Sequence, residues 1–142
     1  MLKTIPKNIS PELIKVLMEM GHGDEIVLAD ANFPAASNAR NLVRCDGLPV
    51  PQLLESILQL LPLDTYSDYS FALMAVADGD DYQPVIWKTY QEILDVSNGE
   101  NQNIEYVERF EFYERAKKSY AIVATGEEAL YANILLRKGV VK

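Results

Sequence analysis

Four short stretches of this chain are apolar without interruption: Ile26-Val27-Leu28-Ala29, residues 71–77, residues 121–124 and residues 134–136. A strand with one wet face alternates apolar and polar side chains, whereas a strand covered on both faces reads as a continuous apolar run. Strands of this kind need helices over both sides of their sheet. The intervening segments supply them. Ser10-Pro11-Glu12 has the form of a helix start, because serine can accept from free backbone amides and proline fits the first turn. Leu13, Leu17 and Met20 then share a face, and Gly21 is expected to end that helix. Leu53, Leu54, Ile57, Leu58 and Leu61 recur at helical spacing between two prolines, which predicts a helix over 51–61. Further helices are expected over 84–96, turning Trp87, Tyr90, Ile93 and Leu94 inward, and over 110–118, with another strand at 104–107. The stretch from Asn32-Phe33-Pro34 to Gly47 reads as irregular. Gly79-Asp80-Asp81 and the segment from Asn98 to Asn103 have the composition of turns.

Helices alternating with apolar strands define the α/β class, here a single three-layer α/β/α domain with a mainly parallel mixed sheet. The chain has 142 residues, 49% of them hydrophobic, which is enough for one core. No apolar run approaches the roughly 20 residues that span a bilayer, and none has the form of a cleavable leader. A cytoplasmic location is expected. Cys45, the single cysteine, can form neither an internal disulfide nor a thiolate cluster.

The net charge of −8 repels phosphate backbones and anionic membrane surfaces, so nucleic acid and membrane are not expected partners. Arg115, Lys117 and Lys118, and again Arg137, Lys138 and Lys142, are read as solvated positive charges among acidic neighbours. Neither phosphate-cradling glycine motif occurs, which disfavours nucleotide cofactors. One histidine and one distant cysteine leave a transition metal only carboxylates, so neither metal nor cofactor is expected. A serine triad through that histidine would lack its usual Gly-x-Ser-x-Gly elbow.

His22, the only histidine, lies in Met20-Gly21-His22-Gly23-Asp24. Flanking glycines let a ligand approach an imidazole that can move protons near neutral pH; equally, they describe a helix end followed by a surface turn. Asp30 follows the first apolar strand, at the end where open α/β sheets gather ligands, and could hold sugar hydroxyls or merely order its own turn. Tyr131 and Asn133 offer neutral hydrogen-bonding groups suited to a polyol, or edge-strand packing. In Arg109-Phe110-Glu111-Phe112-Tyr113-Glu114-Arg115, Arg109 and Tyr113 are candidates for sugar oxygens, with Phe110 and Phe112 assigned to packing.

Three blocks then resemble one family in order along nearly the whole chain. Residues 20–34, MGHGDEIVLADANFP, are similar to the histidine motif of the L-fucose mutarotase and D-ribose pyranase family. Residues 109–116, RFEFYERA, are similar to its second block, and Thr125-Gly126-Glu127 with Tyr131-Ala132-Asn133-Ile134-Leu135-Leu136 to its third. Asn32-Phe33 and RFEFYERA side with the fucose branch, while Ala132 stands where that branch more often has glycine. The resemblance implies a cofactor-independent isomerase that interconverts the α and β anomers of L-fucose by acid/base ring opening and closure. His22 would be the proton donor, with Asp30, Arg109, Tyr113, Tyr131 and Asn133 around the sugar and Asp64 and Met74 in the pocket wall. Tyr113 or a water is the expected counterpart of His22 in proton transfer. D-ribose pyranase activity is the nearest alternative; a non-catalytic monosaccharide-binding module, or a structural subunit using Trp87 and the tyrosines, stands further off.

One geometric expectation follows from the strand. If residues 26–30 are extended, His22 and Asp30 lie at its opposite ends, roughly 15 Å or more apart. They can serve one sugar if the loop folds back or if neighbouring subunits supply one each. The second route matches the ring-shaped homo-oligomers, often decamers, that the resemblance implies.

Overall fold

The uninterrupted apolar runs become strands buried on both faces. The computed structural model describes residues 1–98 and 103–142. Its elements in chain order are α1 (Pro11–Glu19), β1 (Glu25–Ala29), α2 (Ala35–Asn38), β2 (Leu42–Cys45), α3 (Val50–Leu58), β3 (Phe71–Met74), α4 (Ile86–Asn98), β4 (Ile104–Val107), α5 (Arg109–Lys118), β5 (Ala121–Thr125) and β6 (Ile134–Arg137). The six strands form one sheet in the order β2-β5-β1-β6-β3-β4. β1 runs parallel to β5, β5 to β2, and β3 to β4, while β6 is antiparallel to β1 and β3. Five strands therefore point one way and one returns between them, as expected for a mainly parallel mixed sheet.

Strand pleating decides which helix each side chain meets. Ile26 and Leu28 of β1 join Leu13, Leu54 and Leu94 from α1, α3 and α4 in one core. Val27 and Ala29 face the other way, onto Ala35, Phe112 and Ala116 from α2 and α5. The result is the expected α/β/α sandwich. Nine residues of helix are marginal alone, so α3 is held by its inward face: Val50, Leu53, Leu54 and Ile57 are all fully buried. Each such side chain contributes roughly 1.5–3 kcal/mol of transfer free energy. Ser10 caps α1 by accepting from the Leu13 amide, and the Glu108 carboxylate caps α5 by accepting from the Phe110 and Glu111 amides.

The structure corrects the sequence reading in several places. The stretch expected to be irregular contains α2 and β2. In β2, Val43 and Cys45 point inward while Leu42 and Arg44 are exposed, the alternation of an edge strand paired only with β5. Glycine does not end α1: Met20 is the cap, in extended conformation, with its amide on the Val16 carbonyl. Helix α3 closes at Leu58, three residues early, although the Leu61 amide still reaches the Ile57 carbonyl. Strand β3 ends at Met74 rather than residue 77. Helix α4 starts at Ile86, after turn-like bonds from the Trp87 amide to the Pro84 carbonyl and from the Lys88 amide to the Val85 carbonyl. Of the turn expected at Asn98 to Asn103, residues 99–102 lie outside the described residues. Arg115 is not a solvated charge, since its guanidinium reaches Glu105 at 2.7 Å and Glu25 at 3.0 Å. No helix among the described residues is long and apolar enough to cross a membrane.

The direction of β6 positions the candidate site residues. Being antiparallel, it begins at the edge where β1, β3, β4 and β5 end, and it finishes where they begin. Residues following β1 and β4 therefore meet residues preceding β6 at one sheet edge. Residues preceding β1 and following β6 meet at the other.

Candidate active site

At the carboxyl edge, Asp30 and Asn133 form a reciprocal pair. The Asp30 amide donates to Asn133 Oδ1 at 2.8 Å, and Asn133 Nδ2 donates back to Asp30 Oδ2 at 3.1 Å. Asp30 Oδ1 also accepts from the Asn32 amide at 3.0 Å, so this carboxylate does order its own turn. Both residues are buried. Burial pushes the Asp30 carboxyl above the ordinary range, against the opposing pull of the Asn32, Phe33 and Ala132 amides and the Asn133 side chain. A cavity of about 290 Å³ adjoins it, lined by Asp30, Phe33, Pro34, Arg44, Asp46 and Thr125 among others.

The approach to β6 is fixed from beneath by α4. Trp87 Nε1 donates to the Tyr131 carbonyl at 2.8 Å, and the buried Tyr90 hydroxyl donates to the Ala132 carbonyl at 2.7 Å. These two anchors hold Tyr131 at a φ of 56°, a left-handed conformation uncommon for a side chain of this size. Its hydroxyl donates to Asp80 Oδ2 at 2.6 Å and accepts from the Ala77 amide at 3.3 Å. The Asp80 hydrogen bond raises the phenol above its usual pKa, and the nearby Arg109 charge acts in the opposite sense.

Helix α5 supplies the aromatic wall of the same edge. Tyr113 meets Phe33 edge-on with centroids 5.4 Å apart, and Phe110 at 6.3 Å. The Arg109 guanidinium lies 5.3 Å from the Phe110 ring and 5.7 Å from the Tyr113 ring. Phe112 is fully buried as expected, but Phe110 is 65% exposed, so its assignment to the core is corrected. Residues 109, 110 and 113 share the outer face of α5 while 112 and 116 share the inner one, the ordinary spacing of neighbours on a helix. Phe33 is a candidate the residue-by-residue reading passed over. Its signal was the apolar side chain placed three residues after the strand aspartate and directly before a proline.

His22 stands at the opposite edge, in the turn from α1 to β1. Gly23 has a φ of 85°, which a side chain would strain, and its amide donates to the Lys138 carbonyl beyond β6 at 2.8 Å. The imidazole is 47% exposed, and its Nε2 lies 3.1 Å from Oδ1 of Asp64, whose side chain is 2% exposed. Asp64 also accepts from the Ser67 hydroxyl at 2.5 Å and from the Tyr66 and Ser67 amides. These donors, the Ser67 hydroxyl foremost, hold Asp64 well below the usual carboxylate range despite its burial. Tyr66 covers the imidazole with ring centroids 5.3 Å apart. An ionised carboxylate only accepts, so Nε2 carries a proton, and in the neutral form of the ring Nδ1 is the nitrogen with the lone pair.

Seven of the eight sequence candidates thus divide between two edges. Asp30, Asn133, Tyr131, Arg109 and Tyr113 gather at one, while His22 and Asp64 pair at the other. Met74 is buried in the core between the sheet and α5. Within one chain His22 and Tyr113 are not brought together. A larger cavity, about 580 Å³ and lined by Ser67, Glu25, Arg115 and Arg137, adjoins the His22 edge rather than Asp30. It is an open surface of long charged side chains, and His22 is not among the residues that line it.

Residues 3–141 match the profile of the RbsD / FucU transport protein family. A fucose mutarotase of Mus musculus is 54% identical over 144 residues, spanning 97% of this chain and 94% of that protein. The crystal structure of the fucose mutarotase in complex with L-fucose from Streptococcus pneumoniae matches with a TM-score of 0.95 at 61% identity, covering 99% of this chain and 100% of that one. Bacillus subtilis RbsD complexed with D-ribose covers 100% of both chains with a TM-score of 0.76, but at 24% identity it shares the fold alone. With a match along nearly its full length and relatives above half identity, the chain belongs to the RbsD / FucU family.

Proposed function

We propose that this protein is a fucose mutarotase, a cofactor-independent isomerase whose site is completed where two copies meet. One copy contributes His22 held by Asp64; its neighbour contributes Asp30, Asn133, Arg109, Tyr131 and Tyr113. The observation that carries this reading is the division of proton carrier and polyol-binding groups between opposite edges of one sheet. A strand of five residues separates them, and at about 3.3 Å per residue one monosaccharide cannot touch both.

Mutarotation needs only two coupled proton movements. A base removes the proton of the anomeric hydroxyl, the bond from the anomeric carbon to the ring oxygen breaks, and an acid protonates that oxygen. The open aldehyde rotates, and the ring oxygen adds to the other face as the two protons retrace their paths. Nδ1 of His22 has the free lone pair for the first step, or supplies the proton once charged, and the Tyr113 phenol or a water is its counterpart. Each such group contributes a factor of about 10² to 10⁴. Asp30 and Asn133 accept from and donate to sugar hydroxyls, Arg109 donates, and Phe33 with Tyr113 covers an apolar face of the ring.

Contact between opposite edges is head-to-tail, and copies so related form a ring when the rotation between neighbours closes. A decamer built from such rings accords with the family resemblance, and the single buried Cys45 accords with the cytoplasm. Complementation tests the shared site. His22→Ala and Arg109→Ala are each expected to lose catalysed exchange between L-fucose anomers, read by saturation-transfer NMR with D-ribose as the comparison sugar. Mixed oligomers from co-expression should regain about a quarter of the sites by random assortment of subunits. No recovery, with both variants folded and assembled, excludes a shared site; full exchange by His22→Ala excludes the imidazole as proton carrier.

A further inference from the structure

The hydrogen bonds behind His22 continue past Asp64 in one direction. Ser67 Oγ accepts from Arg137 Nη1 at 2.8 Å and lies 2.5 Å from Asp64 Oδ2. A hydroxyl has a single proton. Because arginine can only donate, the Ser67 oxygen receives the Arg137 N–H and its own proton must go to Asp64. Arg137 Nε makes no hydrogen bond but lies at ion-pair distance, 3.4 Å, from Glu25 Oε1, and Glu25 is shared with Arg115 at 3.0 Å. Ser67 and Arg137 reach the 580 Å³ cavity but not the carboxyl-edge cluster.

We infer that Ser67, oriented by Arg137, is a positioning residue that keeps His22 in the Nε2–H tautomer by holding the Asp64 carboxylate with Oδ1 turned to the ring. With Oδ2 taken by the Ser67 hydroxyl and amide, and Oδ1 by the Tyr66 amide at 3.1 Å, the lone pair of Oδ1 that faces the ring is met by an imidazole N–H. Nδ1 is then the nitrogen presented for proton transfer. Without the Ser67 hydroxyl, Oδ2 loses its shortest donor and the carboxylate can rotate between its remaining amide donors. The hydrogen bond to Nε2 is lost for part of the time, and the ring samples both tautomers. The consequence for catalysis rests on the mutarotase reading, whereas the tautomer does not.

His22 is the only histidine of the chain, so untagged protein labelled with ¹⁵N-histidine gives one imidazole spin system that needs no assignment. At pH above the titration of the ring, the wild type is expected to show Nε2–H alone. Ser67→Ala should show a mixture, and Ser67→Thr, which keeps the hydroxyl, should restore the single form. Arg137→Gln, which frees the hydroxyl to turn away, should also mix. Kinetically, Ser67→Ala is expected to lower kcat roughly tenfold to a hundredfold with KM for L-fucose nearly unchanged. A single Nε2–H tautomer in both Ser67→Ala and Arg137→Gln overturns the inference, whatever happens to kcat, as does a mixture in the wild type. A wild type with no effect on anomer exchange would sink the mutarotase reading and leave the tautomer result standing.

Discussion

Gly139 touches no candidate catalytic group, yet the structure makes it a sensitive point for the site. A Cβ built there would lie 2.4 Å from the Leu63 carbonyl oxygen, 2.7 Å from the Leu63 carbonyl carbon and 2.9 Å from Asp64 Cα. Those separations are roughly 1 Å shorter than the distance at which non-bonded atoms rest. The obstacle is backbone, so no side chain can swing aside. The Gly139 amide also donates to the Pro62 carbonyl at 2.7 Å, and the Asp64 amide donates to the Arg137 carbonyl at 3.0 Å. Relief of the clash must therefore move residues 62–64 as a unit, taking Asp64 with them. The Gly139→Ala variant should lose about 1–3 kcal/mol of stability, the usual cost of overpacking. A displacement near 1 Å of the group that holds the imidazole should lower kcat by about 10². Thermal unfolding at fixed protein concentration reads the first quantity, and saturation transfer on L-fucose the second. A Gly139→Ala protein with wild-type melting temperature and exchange rate would refute the reasoning, since it would mean that the Leu63–Asp64 backbone yields freely and that His22 does not depend on where Asp64 lies.

Two further outcomes follow from the same geometry. Asn133→Ala removes the acceptor of the buried Asp30 amide and one donor to the Asp30 carboxylate, so urea unfolding should show a loss of roughly 2–4 kcal/mol; a change under about 0.5 kcal/mol would mean water replaces both bonds at no cost. Asp64 is held below its unfolded value, so its ionisation stabilises the fold above the ordinary carboxylate pKa of about 3.9 and that contribution fades as pH falls through the lower folded value. Asp64→Asn should accordingly lie furthest below the wild type near neutral pH and converge on it in acid, and a gap in unfolding free energy that widens on acidification would contradict that sign.

Much of the architecture was legible because it depends on burial. β1 and β5 are covered on both faces, and a strand in that position has almost no choice but a continuous apolar run; β4 was found at its observed limits despite a mixed pattern. What escaped was structure held by few or distant contacts. β2 is four residues long, borders one strand only and carries Arg44 outward, so its alternation between Asn41 and Asp46 was a signal too short to stand out. α2 offers four small or polar residues and buries one of them. Helix limits drifted for a related reason: α3 keeps an apolar stripe past Leu58, but the chain turns there because Leu61 and Leu63 are buried equally well outside a helix.

The candidate site was legible as a set of residue types and opaque as a geometry. Residue type singled out His22, and strand position singled out Asp30, because a unique imidazole between glycines and a carboxylate at a strand end are local features. The partner of His22 lies 42 residues away and that of Asp30 lies 103 away, separations that only the fold brings together. Spacing along one strand nevertheless reported that these two residues occupy opposite ends, and the register agrees: Glu25 pairs with Arg137 at one end of β1 and Leu28 with Ile134 near the other. That separation ties catalysis to assembly in this reading. Neither half-site contains both His22 and the sugar cradle, so dilution below the dissociation constant of the oligomer should abolish turnover while leaving each fold, and each half-site, intact. Activity that persists in proportion to protein concentration through the dissociation of the oligomer would place both functions within one chain and undo the link.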